Sequence, residues 1–329
     1  LKKQADSIEN ANAVMIQKAE NNANKEKLNN EKNIRFSILG ILGIILVFSY
    51  FLFLQLKKVN KSNLLIKKQR NELNKSFKEI KDNINYAKKI QTTLLPNQKL
   101  MQDFFSDFFV LYQPKDIVGG DFYWYRCFGD FAVIACVDCT GHGVSGGFMS
   151  MMGSLLLDKI IQNEKLKPNL ILKQLNNDII RVLKQDSGGE IQDGMDLSLC
   201  LIDKKKKKLH FSGAHNSIVV IDDDKVNSYK ADLLHAGGIF SKKSKSMSRN
   251  FETQTITLNE NNWVVMSTDG YYDQLGGDKM MSMGKKKFHE ILIDTVANEN
   301  KIEFLLTEFN SWKGDFQQID DICLLGFKV

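Results

Sequence analysis

Cysteine, proline and tryptophan are scarce in this 329-residue chain, with 5, 3 and 3 copies. Cys127, Cys136, Cys139, Cys200 and Cys323 are odd in number and irregular in spacing, which argues against a disulfide framework and fits a reducing compartment. Cys136-Val-Asp-Cys139 has no second pair to complete a zinc site. Because Cys136 lies in an apolar run, these thiols read as buried or backbone-facing. A basic patch on the later part of the chain is missing too. Residues 1–96 carry 18 Lys/Arg against 8 Asp/Glu, and the remainder carries 27 against 31. A nucleic-acid binder needs the basic excess on its folded domain, so no nucleic-acid partner is expected. Lys204–Lys208, between two strand-like runs, reads as a solvated hairpin turn. No Gly-rich ATP-lid pattern is present, which excludes a sensor kinase.

What is present begins with one uncharged run of 19 residues, 36–54 (FSILGILGIILVFSYFLFL). It is long enough to cross a bilayer core. Its charged flanks distinguish it from a core helix, and the lack of a small-residue cleavage site distinguishes it from a signal peptide. It reads as a single transmembrane helix preceded by a polar helical segment, 1–35. The start at Leu1 suggests a missing upstream region. Lys57, Lys58, Lys61, Lys67, Lys68 and Arg70 outnumber Lys25, Lys27, Lys32 and Arg35 around the run, which puts the C-terminal side in the cytoplasm. Val59, Ile66, Leu73, Ile80, Ala87 and Leu94 then recur every seven residues. Phe77 and Ile84 complete part of a seam that Asn63, Arg70 and Gln91 interrupt. Residues 55–95 read as a coiled-coil linker that forms a homodimer. The alternative is a lone helix packed on the domain that follows. Pro96 ends the helix.

From about residue 105, short apolar runs appear at 109–112, 131–137, 197–202, 209–211, 218–221, 263–266 and 322–327. Turn-length gaps between many of them predict antiparallel pairing. Helices are expected at 144–162, 169–185, 285–297 and 302–312. Strands in runs and helices in pairs indicate an α+β layered sandwich over 96–329.

Four aspartates stand at the edges of these runs: Asp121, Asp138, Asp269 and Asp320. Alone, each is a turn or cap former. In an antiparallel sheet the start of one strand lies beside the end of its neighbour, so all four reach one rim. Carboxylates gathered there repel unless a cation neutralises them. Oxygen ligands without His or Cys suit Mg²⁺ or Mn²⁺ rather than zinc. Two such ions activate a water and clamp a phosphoryl group.

The segments around these residues are Val118-Gly-Gly-Asp-Phe-Tyr, Val137-Asp-Cys-Thr-Gly-His-Gly-Val, Phe211-Ser-Gly-Ala-His-Asn, Ser267-Thr-Asp-Gly-Tyr-Tyr-Asp and Gln318-Ile-Asp-Asp-Ile. With Leu94-Leu-Pro ahead of them, their order over about 90–329 resembles the SpoIIE/RsbU-type bacterial serine phosphatases, a branch of the PP2C-like (PPM) metal-dependent phosphatases. The resemblance implies that Asp138 bridges two Mn²⁺ or Mg²⁺ ions, with the Cys139 backbone carbonyl a further ligand. Asp121, Asp269 and Asp320 complete the set, and Asp321 is the lesser of its pair. It also implies hydrolysis of phosphoserine or phosphothreonine by a metal-activated water, on a STAS-type anti-anti-sigma factor. The location implied is a bacterial inner membrane with the catalytic domain in the cytoplasm. Trp124 stands where many members carry Asp, and Cys323 where they carry Thr. His142 is either the general acid for the leaving oxygen or a loop residue that only holds its turn. His215 reads as structural; Asp193 and Asp196 read as turn or cap residues, the alternative being a place near the site; and Lys115 reads as a solvated lysine, the alternative being a contact to substrate phosphate. The rival function is a non-catalytic, membrane-tethered scaffold.

Overall fold

The computed structural model describes residues 2–162, 167–187, 189–238, 250–277 and 279–329. The chain divides into two units, Leu1–Glu79 and Ile80–Val329. The first unit is entirely part of helix α1 (Lys2–Leu94). Nothing in the sequence interrupts its hydrogen-bond ladder, since the first proline is Pro96. Among the described residues, this is the one helix long and apolar enough to cross a membrane. The large apolar side chains of 36–54 are exposed, as are Val59, Ile66 and Leu73.

The end of α1, inside the second unit, behaves differently. Ile84, Ala87 and Leu94 are half-buried there and Gln91 is buried. At this end the three-and-four spacing is the stripe by which the helix packs on its own domain. Gln91, which interrupts a coiled-coil seam, is the most buried member of that stripe.

The domain continues through α2 (Gln98–Phe104), β1 (Asp107–Gln113), β2 (Phe122–Phe128), β3 (Phe131–Cys139), α3 (Gly143–Ile160) and α4 (Pro168–Val182). Next come β4 (Gly194–Asp203), β5 (Lys208–Ala214), β6 (Ile218–Asp222), β7 (Lys225–Tyr229), β8 (Ala236–Gly237) and β9 (Gln254–Thr257). The chain finishes with β10 (Trp263–Ser267), β11 (Leu275–Gly276), β12 (Met281–Ser282), α5 (Gly284–Ala297), α6 (Lys301–Lys313) and β13 (Ile322–Lys328). One sheet runs β1-β13-β10-β6-β7 and the other β2-β3-β4-β5-β9, with β8 on β4. Their pairings are antiparallel.

The two sheets face each other across a core of Tyr123, Ile134, Cys136, Phe211 and Ile202 on one side and Ile218, Met266, Leu325 and Phe327 on the other. The alternate residues point outward. Val133, Ala135 and Val137 meet Leu157, Leu172 and Leu175 of α3 and α4. Phe109, Val265 and Leu324 meet Phe288, Leu292 and Phe309 of α5 and α6. The central strands are covered on both faces. They therefore read as continuous apolar runs rather than alternating ones.

The β4–β5 connection is the exposed hairpin turn expected at Lys204–Lys208, and two of its lysines also form ion pairs at the surface. Lys205 reaches Asp130 at 2.6 Å and Lys207 reaches Glu260 at 2.8 Å. Trp124 is buried against α3, with its indole N–H donating to Asp158 Oδ1 at 3.2 Å. Cys136, Cys139, Cys200 and Cys323 are buried free thiols, and Cys127 is exposed.

Candidate active site

The four aspartates come in two pairs, one pair from each sheet, rather than from the rim of a single sheet. Asp121 precedes β2 and Asp138 lies at the end of β3, where Phe122 faces Val137. Asp269 follows β10 and Asp320 precedes β13, where Ser267 faces Leu324. Asp138 feels the charges of both Asp269 and Asp320, so the pairs share one end of the sandwich.

Two glycines make this convergence possible by close approach. A Cβ on Gly120 would lie 2.5 Å from the Gly141 carbonyl oxygen, so the loop before Asp121 packs directly on the turn after Asp138. A Cβ on Gly270 would collide with the Asp321 carbonyl, so Gly270 lets the Asp269 loop rest on the start of β13. Asp321 then ties the assembly together. Its two carboxylate oxygens accept from Lys115 N at 2.7 Å and Gly120 N at 2.6 Å. Both oxygens are thereby committed to backbone. Asp320, exposed, accepts from Asp321 N at 2.8 Å through one oxygen only.

The electrostatics are those of crowded carboxylates. Burial, then Asp269 and Asp320, push the Asp138 carboxyl up to about 8. Burial, then Asp273 and Asp320, push Asp269 up to about 6. Asp121 is raised well above the usual carboxylate range by burial and then by Asp138. Its Oδ2 is buried without a hydrogen-bond partner. An orphaned carboxylate oxygen beside carboxyls that resist ionisation is the signature of oxygen ligands made for a cation. The residues therefore fit a divalent ion. Asp121, Asp138, Asp269, Asp320 and the Cys139 carbonyl are the groups able to hold it. Cys139 itself is buried, so only its backbone is suited to that role.

Asp138 and Asp269 open into a cavity of about 450 Å³, also lined by Asp196, His215, Lys230 and Lys285. His142 is not among its lining residues. It stands at the N-terminus of α3 without a side-chain cap bond. Its Nδ1 lies 2.8 Å from Asp116 Oδ2, and its Nε2 lies 3.4 Å from Lys115 Nζ. Lys115 thus adjoins both His142 and, through its backbone, Asp321. Sequence reasoning passed over Asp116 and His235, and it placed Asp196 and His215 in turn and structural roles. Among the described residues, Asp196, His215 and His235 form the one group of three side chains whose ligand atoms all lie within 4.8 Å of one another.

The family model of Stage II sporulation protein E (SpoIIE) matches residues 129–329. Among solved structures, the SiaA-PP2C domain of Pseudomonas aeruginosa is 29% identical with a TM-score of 0.69, covering 77% of this chain and 98% of that one. The PP2C phosphatase domain of SpoIIE from Bacillus subtilis, solved with a regulatory fragment, is 18% identical with a TM-score of 0.55, over 68% of this chain and 63% of that one. The RsbU and RsbW domains of a Mycobacterium tuberculosis protein are 18% identical with a TM-score of 0.51, over 68% and 59%. At these lower identities the likeness concerns the fold. No curated protein matches the chain by sequence. A family match across more than half of the chain, on a two-sheet sandwich with acidic loops at one end, settles the membership: the chain belongs to the SpoIIE family of PP2C-like protein serine/threonine phosphatases.

Proposed function

We propose that this phosphatase acts on phosphoserine or phosphothreonine of a STAS-type regulatory protein, with two Mn²⁺ or Mg²⁺ ions held by Asp121, Asp138, the Cys139 carbonyl, Asp269 and Asp320. The observation that carries the site is the crowding of buried carboxylates around Asp138, with Asp121 Oδ2 left unpartnered. When bound, such ions neutralise the carboxylates and acidify a water beside the phosphoryl group. The chain's own residues do the rest. Asp321 fixes the loop that carries Asp121, and Lys230 and Lys285 give the cavity positive charge for an anionic substrate. The regulatory-protein substrate is the one that the SpoIIE/RsbU resemblance implies. Phosphate release from a phosphorylated STAS protein tests this directly. Activity on small phosphate esters with none on the phosphoprotein would remove the substrate assignment.

His142 is proposed as proton donor to the leaving oxygen. The Asp116 carboxylate on Nδ1 fixes the ring and leaves Nε2 as the nitrogen turned away from it, the orientation a donor at this position needs. Substrate has to displace Lys115 to reach Nε2. His142→Gln is expected to lower kcat by about 10²–10⁴-fold with an unchanged thermal melt. A wild-type kcat would return His142 to holding its turn.

The reading extends to control. Residues 36–54 span the bacterial inner membrane, 55–95 form a linker helix that pairs as a dimeric coiled coil until its end, from Ile84, packs on its own domain, and 96–329 are the catalytic domain in the cytoplasm. The link to catalysis is Gln91. Its side-chain amide donates to Gly119 O at 2.6 Å and to Ser150 Oγ at 2.7 Å, and its oxygen accepts from Gly119 N at 3.3 Å. Gly119 is two residues from Asp121, so the linker grips the backbone that positions a ligand. Gln91→Ala is expected to reduce kcat about tenfold and to lower stability by about 1–3 kcal/mol, since buried polar groups lose their partners. If kcat holds while stability falls, Gln91 is packing only. A chain beginning near Asn97 with full activity would remove the coupling altogether.

A further inference from the structure

Beside Asp138, three side chains of mixed chemistry converge. Asp196 lies on β4 and is the cross-strand neighbour of Asp138. His215 occupies the β5–β6 turn, and His235 immediately precedes β8. His215 Nδ1 is 3.1 Å from Asp196 Oδ2, and His235 Nδ1 bonds Asp196 Oδ1. The two imidazoles stack, with centroids 4.7 Å apart and planes at 26°.

We propose that Asp196, His215 and His235 bind a transition-metal ion of the zinc class, at a site beside the acidic centre with its own three ligands. Three observations carry this. The donors are two imidazole nitrogens and a carboxylate, a set that suits Zn²⁺ and its first-row neighbours and not Mg²⁺, which takes oxygen. Their ligand atoms all lie within 4.8 Å of one another, and the His215–Asp196 edge of 3.1 Å is close to the separation of about 3.3 Å between donors at roughly 2.0–2.2 Å from one tetrahedral ion. His215 is also held in a conformation that L-residues rarely adopt, with φ +59. Its N–H donates to Asp232 O at 2.7 Å, and a bridge pairs Ala214 with Asp232. The backbone thus holds this ring over Asp196 at a conformational cost, as functional sites do. Two imidazoles stacked at this distance would repel each other if both were protonated, whereas neutral rings are the form that ligates.

His215 and Asp196 line the same cavity as Asp138 and Asp269. An ion held by three protein ligands there keeps an open position toward incoming substrate, the arrangement of a reactive rather than a purely structural site. The site does not depend on which protein the phosphatase acts on.

The test uses the full chain in detergent, stripped of metal, in excess Mg²⁺ to satisfy the oxygen ligands. Co²⁺ is the probe, because its visible absorption reports nitrogen ligation. Asp138→Asn is expected to retain one equivalent of Co²⁺ with that absorption, displaceable by Zn²⁺. His215→Gln and His235→Gln should each weaken uptake by about 100-fold or more, at least the loss seen when groups that merely support a metal ligand are removed. Should His235→Gln fail to fold, His215→Gln, on a half-exposed ring, decides alone. Absence of Co²⁺ uptake in excess Mg²⁺, or uptake unaffected by His215→Gln, overturns the site.

Discussion

Replacing Asp138 by Asn is expected to slow phosphate release by roughly 10³-fold and, in the metal-free protein, to raise thermal stability at pH 8. The first effect follows from its place among the proposed ligands. Metal stabilisation of transition-state charge is worth several kcal/mol, and about 4 kcal/mol corresponds to roughly a 10³-fold loss of kcat. The second follows from linkage. The folded-state carboxyl titrates at about 8, against about 3.9 in an unfolded chain. Between those values the folded protein holds a proton that the unfolded chain has released. Stability of the metal-free protein therefore falls as pH rises from about 4 to about 8, and Asp269, raised to about 6, adds to the lower part of that fall. Asn at 138 removes the larger share. Melts in chelator at pH 6 and pH 8 read it directly: the wild type loses stability between them and Asp138→Asn loses less. Added Mn²⁺ should rescue the wild type most at pH 8. A variant no more stable than the wild type at pH 8 would mean that burial of this carboxylate costs nothing.

The second large effect belongs to a residue outside the proposed ligand set. Asp321→Ala strips the acceptors from Lys115 N and Gly120 N, the latter buried. Hydrogen bonds to a charged group are worth about 1.5–3 kcal/mol each, so a loss of roughly 3–6 kcal/mol is expected for the two. Asp121 follows Gly120 directly, and a displacement of about 1 Å at a reacting group costs on the order of 10²-fold in rate. Asp321→Asn keeps one acceptor and should fall between the wild type and the alanine variant. Urea unfolding and kcat at saturating Mn²⁺ separate the two effects. Full activity in Asp321→Ala would show that the Asp121 loop holds itself in place.

The sheets were legible because their central strands are covered on both faces and so stand out as apolar runs between turns. β8, β11 and β12, two residues each, carry no period to read, and β9 at four residues barely does. The motifs around the four aspartates singled them out in the sequence, whereas the backbone N–H groups that occupy both oxygens of Asp321 come from residues about 200 positions away and are visible only in the fold. Gln91 was visible only as a flaw in a heptad, because its purpose lies in contacts with Gly119 and Ser150, 28 and 59 residues away. His235 gave no local signal at all. Its partner Asp196 is 39 residues distant, and nothing short of the folded sheet brings them together.

Cys127 offers an experimental handle. It is the exposed member of five free thiols, the other four being buried. It stands six positions from Asp121 along β2, about 20 Å at the rise of an extended strand. A maleimide dye or spin label added to the unmodified sequence should therefore attach at one place, remote from the acidic loops. Distances between labels on two copies would then measure pairing of the chains in a membrane without engineering a cysteine.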